Sequence, residues 1–121
     1  MSLNQGRGFV TNLMQGTPIS VSLNTNIPYT VILDPLSQSN GTLFTAKVAG
    51  YYLASMNIVS DSISFSILKN NIIAFNQTST TGSNILSGII FLNGIADFIS
   101  FQYNSGTTMN STGSIFITRI G

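Results

Sequence analysis

Residues 44–58, FTAKVAGYYLASMNI, constrain this chain more than any other stretch. Before Gly50 the pattern alternates, with Phe44, Ala46 and Val48 on one side and Thr45 and Lys47 on the other. After Gly50 the apolar residues no longer keep to one parity. Tyr52, Ala54, Met56 and Ile58 share one face, while Tyr51 and Leu53 share the other with Ser55 and Asn57. A strand with one solvated face gives way to a strand covered on much of both faces. A chain with such a strand needs a partner sheet on one side and something further on the other.

No helix competes with this reading. The chain has no Glu and no run of Ala, Leu, Lys or Arg, so helix content is expected to be close to zero. The polar residues are mostly Ser, Thr, Asn and Gly, which favour turns, while 43% of the 121 residues are hydrophobic. That much apolar surface supplies one core, so disorder is not expected and one domain over residues 1–121 is.

The rest of the chain divides into short β-rich pieces. A first strand is expected over 8–14, with 1–16 forming that strand and its lead. Residues 18–33 hold two more pieces around Asn24–Asn26, with Pro18 and Pro28 at edge or entry positions. Residues 62–68, SISFSIL, alternate most cleanly, placing Ile63, Phe65 and Ile67 inward and Ser62, Ser64 and Ser66 in solvent. Lys69-Asn70-Asn71-Ile72 predicts a type I′ hairpin, because Asn tolerates positive φ. Residues 72–75 then return. Gly88, inside the apolar run 85–92, marks a bulge or a close backbone approach, and Asn93-Gly94 is a turn. Residues 97–103 put Ile99, Phe101 and Tyr103 inward, with Ser100 and Gln102 outward and Phe98 the exception. The polar segments 77–84 and 104–113 read as loops, and a last strand runs over 114–120. Eight to ten strands without a helix make an all-β sandwich or barrel.

The strands fall into two groups. Those near 42–48, 62–68 and 97–103 alternate, and are expected to form one sheet with a wet outer face. Those near 51–58, 85–92 and 114–120 do not, and are expected to form a second sheet buried by its partner and by another subunit.

From Phe44 onward the order of motifs resembles the superfamily that joins tumour necrosis factor with the globular head of the first complement component. Phe44, Gly50 and Tyr52 match that family's Phe, five residues, then Gly-x-Tyr. Lys69-Asn70-Asn71 matches its Lys-Asn-Gly hairpin, and 87–92 with Ala96-Asp97 its Gly-rich strand and Gly-Asp turn. Ala54 stands where the family has an aromatic residue, Ala96 replaces a Gly, and the turn is one residue longer. The resemblance covers about two-thirds of the chain. It implies a jelly-roll β-sandwich of two antiparallel sheets that forms a homotrimer about its inner sheet. By this matching Phe44, Tyr52, Phe65 and Phe101 are sandwich core, and Leu53, Ser55 and Ile85 face other subunits. In the alternative assignment both Tyr51 and Tyr52 fill the core.

Chemistry is sparse. With no His and no Cys, Ser-His and Cys-His nucleophiles and the usual zinc sites are excluded. The acids Asp34, Asp61 and Asp97 are expected in turns and caps, giving neither a carboxylate pair nor a calcium cage, so no cofactor or metal is expected. Arg7, Lys47, Lys69 and Arg119 are scattered over a chain of net charge +1 and form no nucleic-acid patch. No segment approaches the ~18 apolar residues of a membrane-spanning helix. The start MSLNQGRGFV does not read as a secretory signal, so the three Asn-x-Thr sequons at Asn40, Asn76 and Asn110 are expected to be unmodified. The expectation is a non-enzymatic trimeric head on a virion, phage-fibre, spore or cell surface that structures the surface or binds a protein or glycan receptor. Its contacts are expected at Thr80, Thr81, Asn104, Thr107 and Asn110. A soluble cytokine-like ligand is the alternative, and a cytosolic β-sandwich enzyme a remote third.

Overall fold

The computed structural model describes residues 13–18, 25–60, 63–78, 82–106 and 109–121. They form nine strands: β1 (Leu13–Pro18), β2 (Tyr29–Leu33), β3 (Phe44–Thr45), β4 (Gly50–Ser60), β5 (Ile63–Lys69), β6 (Ile72–Thr78), β7 (Gly82–Leu92), β8 (Phe98–Gly106) and β9 (Met109–Arg119). Every pairing is antiparallel. A five-stranded sheet in the order β2-β1-β9-β4-β7 faces a four-stranded sheet in the order β3-β8-β5-β6. The sheet membership follows the two groups of strands: β4, β7 and β9 share one sheet, and β3, β5 and β8 the other.

β4 shows why. Its residues Tyr52, Ala54, Met56 and Ile58 are fully buried between the sheets. Phe44 meets the Tyr52 ring edge-on with centroids 5.7 Å apart, and Phe65 and Phe101 fill the same core. The Tyr52 hydroxyl donates to the Val48 carbonyl at 2.6 Å, so burying the phenol leaves no polar atom unpaired. Burial holds that phenol above its ordinary range, offset by Arg119 and by the bond to Val48. Gly50 opens the strand because a Cβ there would overlap the Gly121 carbonyl and the Arg119 side chain. That space lets the chain end pair with β4: Tyr51 N–H donates to Gly121 O at 2.9 Å, and Ile120 N–H to Tyr51 O at 2.8 Å.

Gly88 is a close approach and not a bulge. β4 and β7 keep register through Ala54↔Gly88, and a Cβ on Gly88 would overlap the Phe75 ring. Phe75 on β6 thus closes one seam between the sheets. At the opposite seam Tyr29 meets Phe101 edge-on at 6.2 Å, with its hydroxyl 2.7 Å from Ser39 Oγ. Burial pushes the Tyr29 hydroxyl up to about 12, with the Ser39 bond opposing and the nearby Asp34 charge adding to the rise. The β5–β6 hairpin has Asn70 and Asn71 at φ of 52° and 66°, the type I′ geometry that its sequence predicts.

Several expectations need correction. The described parts of 77–84 and 104–113 are strand and not loop: β6 runs through Thr78, β7 starts at Gly82, β8 runs through Gly106 and β9 starts at Met109, while 79–81 and 107–108 lie outside the described residues. Ladder pairs such as Ser60↔Gly82, Ser60↔Met109 and Ile63↔Gly106 hold these polar ends, since backbone pairing does not require apolar side chains. The expected strand over 42–48 shrinks to Phe44–Thr45. Gln38 competes for its backbone, taking Thr45 N–H on its carbonyl and Lys47 N–H on its side-chain oxygen. The first described strand is Leu13–Pro18, which overlaps the expected 8–14 at residues 13 and 14 and runs beyond it; residues 8–12 lie outside the described residues. So does the first of the two pieces expected in 18–33, apart from Pro18; the second is β2.

The outer face of the four-stranded sheet is also drier than its serines imply. Ser66 and Ser100 are buried. Ser66 Oγ donates to Asn104 Oδ1 at 2.6 Å, Asn104 Nδ2 to Gln102 Oε1 at 3.3 Å, and Gln102 Nε2 to Asn26 Oδ1 at 3.0 Å. Long amides linked this way shield the short hydroxyl at the end of the chain.

Candidate oligomerisation face

The remaining face of the five-stranded sheet is built by parity. Once Tyr52, Ala54, Met56 and Ile58 turn to the core, Tyr51, Leu53, Ser55 and Asn57 must turn away from it. The antiparallel register places Phe91 beside Tyr51, Ile89 beside Leu53, Ser87 beside Ser55 and Ile85 beside Asn57. On the other side of β4, Thr118 lies beside Leu53, Phe116 beside Ser55 and Ser114 beside Asn57. One end of this face is apolar and aromatic, with the Tyr51 and Phe91 rings 5.4 Å apart in an edge-on contact. The other end mixes Ser and Asn with Ile85 and Phe116. None of these positions on β4, β7 and β9 carries Asp, Glu, Lys or Arg.

These large side chains lie open in the single chain. Ile85 is 59% exposed, Ile89 55%, Tyr51 54% and Phe91 45%. Their exposure decides between the two assignments of the tyrosines: Tyr52 is core and Tyr51 is not. Charge appears only at the rim. Lys69 Nζ lies 5.9 Å from the centre of the Phe91 ring and 3.6 Å from the Asp97 carboxylate. A hydrogen bond from Asn70, then one from the Asn93 backbone and the charge of Lys69, hold Asp97 below the usual carboxylate range against a small opposing effect of desolvation.

The proposed site residues separate into three sets. Leu53 and Ser55 lie half-buried on the open face, and Ile85 projects from it. Phe44, Tyr52, Phe65 and Phe101 lie between the sheets. Asn104 belongs to strand β8 and its hydrogen-bonded chain, not to a loop, and Asn110 lies in β9. Thr80, Thr81 and Thr107 lie outside the described residues. Sequence reasoning placed Tyr51 on the face of Leu53 without naming it a subunit contact, and passed over Ile89, Phe91 and Phe116. Their signal was present, because each shares strand parity with Leu53 or Ile85 or pairs with Ser55.

A second open apolar area lies on the edge strand β6. Ile72, Ile73 and Ala74 with Lys69 and Asn70 line an open depression of about 290 Å³. Phe75 over Gly88 joins this edge to β7, so the open face and the β6 edge adjoin. The described acids serve turns. Asp34 accepts the N–H groups of Gln38 and Ser39, and Asp97 accepts from Asn70 and the Asn93 backbone.

No protein-family model matches the chain, and no curated protein matches it in sequence. Solved structures do. Murine APRIL superposes with a TM-score of 0.71 at 10% identity, covering 89% of this chain and 98% of APRIL. The globular domain of zebrafish complement 1qA protein gives 0.69 at 12%, covering 90% and 96%. Rabbit GITRL gives 0.68 at 13%, covering 90% and 93%.

Proposed function

We propose, on the premise that this chain has the jelly roll of the tumour necrosis factor and complement-head superfamily, that it is a non-enzymatic homotrimeric head that binds a receptor. The observation that carries the reading is the uncharged open face of β4, β7 and β9. A monomer rarely leaves so large an apolar area exposed, and burying each large side chain contributes about 1.5–3 kcal/mol. A closed ring of identical chains needs two different surfaces on each copy. The open face and the adjoining β6 edge are two such surfaces.

Leu53, Ser55 and Ile85 are the subunit contacts in this reading. The receptor side is the end of the sandwich where β4 leads to β5, β6 to β7 and β8 to β9. The strand ends there are Ser60, Thr78, Gly82, Ser105, Gly106 and Met109. Leu13 pairs with Thr118, and Gly121 bonds to Tyr51, so β1 starts and β9 finishes at the opposite end. Apart from Asp61, the residues of the three connections on the receptor side are Ser and Thr, which favour hydrogen bonding to a protein backbone or a glycan over charge steering. Display on a virion, phage fibre or spore fits a head with so few charges. A soluble cytokine-like ligand is the second reading, favoured by the likeness to murine APRIL, and it requires a cellular response to the free protein.

Sedimentation equilibrium tests the assembly. The wild-type chain is expected at three times 12.9 kDa. Leu53→Asp sets three carboxylates in a dry interface without a cation and is expected to give monomer. A wild-type mass of one protomer overturns the reading.

A further inference from the structure

The chain contains two Asn-Gly pairs, Asn40-Gly41 and Asn93-Gly94, both in turns and both with an exposed Asn. Each Asn holds its side-chain carbonyl oxygen in a cluster of donors. Asn93 Oδ1 accepts the backbone N–H groups of Ile95, Ala96 and Asp97 at 2.9, 3.1 and 3.1 Å. Asn40 Oδ1 accepts Thr42 N–H at 2.9 Å, the Thr42 hydroxyl at 2.9 Å and Leu43 N–H at 2.7 Å. Three donors on one carbonyl oxygen polarise its carbon, and they would stabilise the negative charge that builds on that oxygen under nucleophilic attack.

The two pairs differ in the nitrogen that would attack. Gly41 N–H donates to Ser39 Oγ at 3.1 Å, which pins it and opposes loss of its proton. None of the hydrogen bonds that hold the 93–97 turn uses the Gly94 N–H. Gly94 also has no side chain to hinder approach, and its φ is 75°.

We propose that Asn93-Gly94 is a self-modifying deamidation site and that Asn40-Gly41 is its protected counterpart. The Gly94 backbone nitrogen loses its proton and bonds to Asn93 Cγ. The Cγ–Nδ2 bond breaks, and ammonia leaves with that proton. Water then opens the five-membered imide at one of its two carbonyls, giving aspartate or isoaspartate at position 93. The product adds one negative charge beside Asp97, whose carboxylate already takes the Asn93 N–H at 3.0 Å and has Lys69 at 3.6 Å. The conversion therefore places two carboxylates against one ammonium at the rim next to Phe91.

The test is peptide mass mapping of the full chain aged at neutral and mildly alkaline pH, folded and in urea. In the folded protein Asn93 is expected to convert about tenfold faster than Asn40, a barrier difference of about 1.4 kcal/mol. In urea the two rates should converge, because both turns are lost. Equal rates in the folded chain, a faster Asn40, or the same ratio in urea overturns the proposal. Ser39→Ala frees the Gly41 N–H and should accelerate Asn40 while Asn93 keeps its rate. If Asn40 is unchanged in a variant whose circular dichroism is native, the role given to the glycine N–H is wrong. If that variant does not fold, the wild-type ratio still decides.

Discussion

Each sheet of this sandwich turns one face away from the core, and the two faces solve the problem of exposure differently. On the four-stranded sheet, Ser66, Asn104, Gln102 and Asn26 bond to one another in a chain across β5, β8 and the segment beside β8. That face meets its polar requirements within one molecule except at Ser100 Oγ. On the five-stranded sheet, Tyr51, Ile85, Ile89 and Phe91 lie open among the described residues, and the polar residues beside them are Ser, Asn and Thr without charge. A chain with 6% charged residues has few means of keeping such a face in water. The difference teaches that the two faces are under different constraints, one linked by its own hydrogen bonds and one left apolar and open in the single chain.

The strongest way to break this comparison is to make the open face resemble the closed one. Ile85→Ser, Ile89→Ser and Phe91→Ser combined remove large side chains that are about half exposed in the monomer, so the monomer should still fold. Each substitution removes about 1.5–3 kcal/mol of apolar burial per contact in an assembly, and threefold symmetry repeats each loss. Sedimentation is expected to show monomer with native circular dichroism. A variant that still assembles would mean that the open face is not the interface.

A smaller effect probes the seam between the sheets. Tyr29 has its hydroxyl pushed up to about 12 by burial, above its ordinary value near 10. A group whose folded value is raised contributes stability below its unfolded value and loses it as pH rises through the folded one. Thermal melts should therefore be flat in this contribution up to about pH 10 and fall by roughly 2–3 kcal/mol towards pH 12. Tyr29→Phe removes Tyr29's share of the dependence, leaving that of the buried Tyr52 phenol, at the loss of the Ser39 hydrogen bond. An unchanged alkaline limb in that variant would assign the limb to another group.

How much of this was legible in the sequence depends on which force decides each element. Where side-chain burial decides, the pattern was enough. The alternation in 62–68, the loss of alternation after Gly50 and the paired Asn residues at 70–71 placed strands, sheet membership and a turn. Where backbone pairing or a single polar side chain decides, the pattern misled. Thr78 looks like a loop residue but pairs with Ser64, and Asn104 and Asn110 lie within β8 and β9 at shifts in the register of their ladders. β3 is cut to two residues by Gln38, which takes N–H groups seven and nine positions later, at Thr45 and Lys47, a pairing that no local pattern announces. The open face was half legible. Leu53, Ser55 and Ile85 were named, while Ile89 and Phe91, which share the parity of Ile85, were not, and their place beside Leu53 and Tyr51 came only with the β4–β7 register.

The smallest expected effect sharpens the comparison most, because it tests whether the closed face is as complete as its hydrogen bonds imply. Ser66 and Ser100 are both buried serines on that face, and only their partners differ. Ser66 Oγ donates to Asn104 at 2.6 Å, whereas Ser100 Oγ is buried without a hydrogen-bond partner. Ser66→Ala leaves Asn104 short of a donor and should cost about 1 kcal/mol, since a paired hydrogen bond contributes about that much net. Ser100→Ala removes a hydroxyl that was desolvated without compensation, and so should be neutral or stabilise by up to about 1 kcal/mol. Neither change alters charge or the open face, so both variants should keep the wild-type assembly state. Urea unfolding with a shared slope measures the two differences directly. Opposite signs would establish that hydrogen bonding, and not mere small size, is what closes this face. Two equal losses would mean that the serines are held for packing alone.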